Sequence, residues 1–346
     1  MARLFALFLL ATSAAAQPIV TITSITPSSG PVTGGTVVTI HGRGFSDMCP
    51  PPITPCGRIA VAFGGVDALS STVIDENTIQ AITPPHFPGV VDVTRSQAYG
   101  ATILPASFTY LGEVTDAFEP LLLPIFLPTV HGALGSIFFS EAYFWATAGP
   151  DIPVFGLSQP PCGDPFFCGS RPQVDLTILP TRGPNVHGVY QTGNPGLVVW
   201  VPKGAANRLS ASLRVRDLSR SSQTLGTSIP IIPETDFRTE LFALLEIPLS
   251  GNFRNALRIY SIDRGVSAHV RIVQLDGLVV YREFDLALRD SADLFHPAYA
   301  QFTDFQPDQY SVARIEIEPL TPGKRIWAFV SVTNNETQQI TMIAPH

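Results

Sequence analysis

Residues 22–45 read ITSITPSSGPVTGGTVVTIHGRGF, and the order of apolar positions and turn residues in this stretch decides the fold. A strand-like run at Ile19 to Ile22 leads in, and Pro27 to Pro31 then forces a turn. Gly34-Gly35 lets the backbone enter Thr36 to Ile40 without a side-chain clash, and Gly42 and Gly44 end that strand. Further along, Ile59 to Phe63 alternates, Gly64-Gly65-Val66 forms a two-glycine hairpin turn, and Ser71 to Ile74 and Thr78 to Ile82 flank a turn at Asp75-Glu-Asn77. Thr83-Pro-Pro85 and Pro88-Gly89 break the chain before Val90 to Thr94 and a closing strand at Ala106 to Tyr110. Roughly seven strands in under a hundred residues is the spacing of a two-sheet sandwich.

The motifs ITPSSGPVTGGTVVTIHGRGF (25–45), VAFGGV (61–66), ITPP (82–85) and PGVVDV (88–93) occur in this order. On them, residues 18–110 resemble the IPT/TIG family of immunoglobulin-like domains. That resemblance implies an immunoglobulin-like β-sandwich with a linking or binding role, and no activity of its own. The family's fold is used in extracellular receptors, in bacterial surface and polysaccharide-degrading proteins and in DNA-binding factors of the Rel type. A formal charge of −7 without a Lys/Arg-rich run disfavours the last branch, because affinity for nucleic acid comes largely from neutralising phosphates. The insertion holding Cys49 and Cys56 departs from a minimal domain of the family.

The 346 residues suit two domains and a targeting segment. Apolar residues make up 45% and charged ones 14%, and 32 prolines with 27 glycines fit many short strands joined by tight turns. Met1-Ala-Arg3, the apolar run Leu4 to Leu10 and Ala14-Ala-Ala16 read as a secretory signal peptide over residues 1–16, with the mature chain starting at Gln17. The run is too short for a spanning helix, which needs about 20 apolar residues. No membrane span is expected, and the product is expected outside the cytoplasm. Cysteine usage agrees with export: Cys49 with Cys56 and Cys162 with Cys168 are two close pairs, most simply disulfides within each loop. Each would contribute about 2–3 kcal/mol if unstrained. Zinc fits poorly, since no histidine lies at ligand spacing beside either pair.

Residues 112–346 are expected to form a larger antiparallel β-sandwich or jelly-roll-like domain. They resemble uncharacterised β-rich segments of secreted bacterial proteins. Leu121 to Leu127 is an apolar lead-in, and Gly135 to Trp145 is an aromatic strand candidate. Further strands are predicted at 174–179, 196–202, 209–217, 256–262, 268–275, 278–286, 310–317, 326–332 and 339–343. Leu209-Ser-Ala-Ser-Leu-Arg-Val-Arg and Tyr310-Ser-Val-Ala-Arg-Ile-Glu-Ile-Glu each predict one wet and one buried face. A short helix is predicted over Asp236 to Leu245, and Ser291 to Phe305 is a break able to hold another. The proline-rich stretch 149–172 is the loop expected to project.

Catalytic signals are thin. Ser136 lacks the G-x-S-x-G frame of a nucleophile elbow. His41, His86, His131, His187, His269, His296 and His346 form no H-x-x-x-H or H-E-x-x-H pair. Glu316 with Glu318, and Glu283 with Asp285, share strand faces, which is the default for exposed carboxylates. Asp75, Asp263 and Asp276 sit in turns where oxygens could converge on calcium, although turn chemistry alone accounts for aspartate there. No cofactor is expected, with calcium the one left open.

Aromatic residues are the better clue. Tyr143, Phe144, Trp145, Trp200, Phe166, Phe167, Phe295 and Tyr299 could stack on sugars or fill a partner's pocket, although alternation places Trp145 and Trp327 in the core. Phe166, Phe167, Trp200 and Tyr143 are the binding candidates. The sequence thus predicts a secreted, non-enzymatic binding or adhesion protein of the bacterial surface, with an extracellular polysaccharide or a cell-surface protein as partner. A polysaccharide-active hydrolase and a spacer without a ligand are the alternatives.

Overall fold

The computed structural model describes residues 20–45, 59–97, 100–126, 129–147, 149–157, 176–179, 186–188, 195–220, 225–291, 293–306 and 312–345. Short alternating runs pair into six sheets, distributed over two compact units, Met1–Asp116 and Ala117–His346.

In the first unit one sheet orders Thr21–Thr26, Val37–Arg43, Thr78–Ile82 and Ser70–Asp75, all antiparallel. The other orders Ser29–Pro31, Gly100–Leu111, Gly89–Gln97, Ala60–Phe63 and Val66–Asp67, and its first pair is parallel. Inward positions supply the core: Val38, Ile40 and Ile79 from one sheet, Phe63, Val93, Phe108 and Tyr110 from the other. Gly34 shows why the turn before Val37–Arg43 needs glycine, since its φ is +72° and a Cβ there would lie 2.5 Å from the Pro84 carbonyl carbon. Gly64 and Gly65, at φ +58° and +85°, close the expected two-residue hairpin between Phe63 and Val66. This is the immunoglobulin-like sandwich expected from residues 22–45.

The second unit carries four sheets. The third sheet orders Leu176–Leu179, Ile152–Phe155, Gly196–Pro202, Phe118–Pro124 and Ile232–Pro233. The fourth orders Val130–His131, Ile137–Ala146, Leu209–Asp217 and Thr227–Ile229, with Val186–Gly188 also pairing to Ile137–Ala146. The fifth orders Phe242–Pro248, Val312–Pro319, Ser267–Gln274 and Val280–Ala287, and the sixth Ala298–Phe302, Phe253–Ser261, Trp327–Asn334 and Ile340–Ile343. Leu244, Val270, Ile315 and Ile317 of the fifth sheet share one core cluster with Leu257, Ile259 and Val330 of the sixth. Every residue from Gly196 to Val201 is buried, so this strand is covered on both faces, which its unbroken apolar run reflects. Tyr260 ties the sixth sheet to that region: its hydroxyl donates to the Pro195 carbonyl at 3.0 Å and accepts from the Ile125 amide at 3.3 Å.

Two helix expectations are overturned. The stretch expected as a helix from Asp236 to Leu245 holds a single 3-10 turn, Glu234–Asp236, and then the strand Phe242–Pro248. Its apolar residues suit either period, and pairing with Val312–Pro319 buries Phe242, Leu244 and Ile247 on one face. The break at Ser291 to Phe305 contains the edge strand Ala298–Phe302, preceded by a turn in which the Asp293 carboxylate accepts from the Phe295 and His296 amides. The apolar lead-in at Leu121 likewise belongs to a full strand, Phe118–Pro124, paired on both sides.

Candidate functional site

Along Ile137–Ala146 successive side chains alternate across the fourth sheet. Ala142, Phe144 and Ala146 are buried on one face, with Leu213 and Val215 of the neighbouring strand. Phe139, Glu141, Tyr143 and Trp145 take the other face, and an unbroken register sets each against a partner on Leu209–Asp217: Phe139 opposite Arg216, Glu141 opposite Arg214, Tyr143 opposite Ser212, Trp145 opposite Ser210. Tyr143 is 38% exposed and Trp145 50%. Serines stand opposite both rings on Leu209–Asp217, and on its other side Tyr143 is paired in register with His187 of Val186–Gly188; the two ring positions are about 6.6 Å apart along the strand. Phe139 to Trp145 spans about 20 Å at strand rise, and along this track Tyr143 and Trp145 are exposed, Phe139 is half-buried and Glu141 is buried.

The polar end of the track is ordered by direct contacts. Arg216 Nη1 lies 3.4 Å from Glu141 Oε1, and the Tyr143 hydroxyl donates to Glu141 Oε2 at 3.5 Å. Arg214 Nη1 donates to the Leu225 carbonyl at 3.1 Å, and Ser228 stands opposite Arg214 on the next strand. Gly226 is required beside this pair, because its φ is +82° and a Cβ there would lie 2.4 Å from the Val215 carbonyl oxygen. Asp217 anchors the end of the strand pair by accepting from the Ile137 amide at 3.0 Å, the Ser219 hydroxyl at 2.6 Å and Arg220 at 2.7 Å. Burial works to raise its pKa, and these hydrogen bonds outweigh burial and hold it at about 2.

Of the predicted binding residues, the structure places Tyr143 on this track. Trp200 is only 6% exposed and its indole N–H donates to the Leu294 carbonyl at 3.0 Å, so it offers no stacking face. Strand pairing on both sides of Gly196–Pro202 removes it from the surface. Trp145, read as core, is exposed, because it shares the parity of Tyr143 rather than that of Phe144; Trp327 is buried as read. Phe166, Phe167 and all four cysteines, with their expected disulfides, lie outside the described residues. Tyr299 packs 5.1 Å from Tyr260 and donates its hydroxyl to Gln301.

Other candidates have local explanations. Ser136 is buried and accepts from Arg220 at 3.1 Å. Asp75 and Asp276 accept turn amides from Asn77 and Leu278, and Asp263 accepts from the Arg325 amide. Among the described residues, no group of three or more His, Cys, Asp or Glu is placed to hold a metal ion. No helix among them is long and apolar enough to cross a membrane. A cavity of about 150 Å³, with Ile125, Phe138, Val215, Ile229, Arg258 and Ile340 in its wall, is smaller than ordinary ligand pockets, which start near 300 Å³. Glu141, Arg214, Arg216 and the two serines were not singled out in the sequence. The wet face of Leu209–Asp217 was legible, and its register against the aromatic strand was not.

Residues 20–110 match the family model described as IPT/TIG domain. No curated protein matches the chain. Among solved structures it is similar to SGBP-B from a complex xyloglucan utilization locus in Bacteroides uniformis, at 11% identity over 89% of this chain and 72% of that one, with a TM-score of 0.21. It is similar to the surface glycan-binding protein PbSGBP-B of Prevotella bryantii, at 9% identity over 95% and 100%, with a TM-score of 0.21. A third is the gamma-CGTase of alkalophilic Bacillus clarkii, at 16% identity and a TM-score of 0.21 over 62% of this chain; the match spans 25% of that enzyme.

Proposed function

We propose, taking as premise that residues 20–110 are an IPT/TIG domain, that this chain is a secreted binding protein of the bacterial cell surface. In this reading, residues 1–16 direct export. The β-rich domain after the module holds an extracellular polysaccharide on the outer face of its fourth sheet, without turnover. The observation that carries the reading is the pair Tyr143 and Trp145, both part-exposed on one face and opposite serines of Leu209–Asp217. The flat CH faces of a sugar stack on such rings, and its hydroxyls meet Ser210, Ser212, Ser228 and the half-buried Arg216 along the same face. A protein partner fits less well, since a stable interface buries about 800 Å² per side around an apolar centre, whereas this track is two rings wide and rimmed by hydroxyls.

Affinity electrophoresis of the mature protein through gels cast with a panel of neutral and acidic polysaccharides tests this. Retardation by at least one polymer, lost in Trp145→Ala with the melting temperature unchanged, is expected. Unretarded migration through the whole panel, or retardation that survives Trp145→Ala, would sink it.

A further inference from the structure

We infer that the track selects glycans bearing carboxylates, namely uronic-acid polymers, over neutral ones; this rests on the binding reading above. Two guanidinium groups and one carboxylate share the face. Glu141 is engaged by Arg216, while Arg214 has a backbone carbonyl as its partner and no carboxylate among the described residues within ion-pair distance. Among the described residues whose side chains reach this face from Ile137–Ala146 and Leu209–Asp217, the arginines outnumber the carboxylates by one, on a chain whose formal net charge is −7.

Position makes the excess useful. In register order the face runs Trp145 with Ser210, Tyr143 with Ser212, then Glu141 with Arg214 and Phe139 with Arg216. A polymer lying along the strand meets two stacking rings and then the cations, each step being about 6.6 Å. A planar guanidinium takes a carboxylate through two parallel N–H···O bonds, which are stronger than bonds to a neutral hydroxyl. A neutral sugar leaves Arg214 with the solvent and carbonyl contacts it already has. One added charge-assisted contact corresponds to about a tenfold gain in affinity.

Isothermal titration of the mature full chain with polygalacturonate and with the same polymer fully methyl-esterified tests the inference, because esterification removes charge and keeps the backbone. Polygalacturonate should bind about tenfold more tightly, with an advantage that shrinks as salt rises. Arg214→Gln should erase that advantage without lowering the melting temperature, whereas Trp145→Ala should weaken both polymers. Equal affinities, or an advantage that persists in Arg214→Gln, would overturn the inference and leave the binding reading intact. Failure to bind these two and every other polysaccharide of the panel would remove the binding reading, and this inference with it.

Discussion

Two exposed sheet faces of the second unit, those of the fourth and fifth sheets, are built on the same alternation and end in opposite chemistry. On the fifth, charges meet charges. His269 sits between Asp285 at 2.6 Å and Glu283 at 2.9 Å, Arg271 reaches Glu316 at 2.8 Å and Glu283 at 3.8 Å, and Arg314 reaches Glu316 at 2.5 Å. Glu318 stands opposite His269 in register. On the fourth, the central positions are rings opposite serines, and among the described residues of the two strands one carboxylate faces two arginines. A face whose charged groups satisfy one another has little left to offer a ligand, whereas a face with part-exposed rings and, among the described residues, an arginine with no carboxylate in ion-pair reach does.

The comparison breaks most severely at Asp217. Its carboxylate joins the end of Ile137–Ala146 to the turn at Ser219 and Arg220, so Asp217→Asn should cost about 1–3 kcal/mol in urea unfolding and disorder the binding track while sparing the fifth sheet's ladder. Because the folded pKa is depressed to about 2, the contribution is complete above about 3.8 and fades as pH falls through about 2; the deficit of Asp217→Asn against wild type should narrow only in that range. A constant deficit down to pH 2 would contradict this assignment.

A smaller change sharpens the contrast on the fourth face. Ser212→Leu lays a side chain across Tyr143 and should weaken glycan binding by a few fold, about 1 kcal/mol, with stability unchanged. Undiminished affinity would show that the ring face is not in use.

The smallest effect belongs to the fifth face. Hydrogen bonding to Asp285 raises the His269 pKa, partial burial opposes it, and Glu283 adds to the rise. Both ring nitrogens face carboxylates, an arrangement fully satisfied only by the imidazolium. With the folded value raised, the stabilisation is complete below about 6.5 and is lost as pH rises through the folded pKa. His269→Gln should therefore differ from wild type in melting temperature at pH 5 and converge with it by pH 9, by less than about 1 kcal/mol for so exposed a group. In the first unit burial lowers the pKa of His86, which has the opposite sign: its neutral form is favoured above about 6.5, and acidification erodes that contribution.

What the sequence made legible follows from how local each signal is. The glycine turns at Gly34 and Gly64 and the alternation of Val37–Arg43 and Thr78–Ile82 are encoded within a few residues, and the first sandwich could be read from them. The strand Phe242–Pro248 could not, because its apolar residues fit a helix until Val312–Pro319, some seventy residues away, pairs with them. Trp145 and Trp200 were misassigned for one reason: the face a strand residue occupies depends on which neighbours cover each side, and one-step parity exchanges core for surface. Tyr143 was found as a residue, while its serine and arginine neighbours came only from register.

The most direct measurement uses the tryptophans themselves. Trp200 and Trp327 are buried and Trp145 is half exposed, so acrylamide quenching of the mature protein's fluorescence reports chiefly on Trp145. Saturation with a retained polysaccharide should protect that fluorescence, and the protection should vanish in Trp145→Phe. Quenching unchanged by a bound polysaccharide would place binding elsewhere and contradict the role given to the fourth sheet.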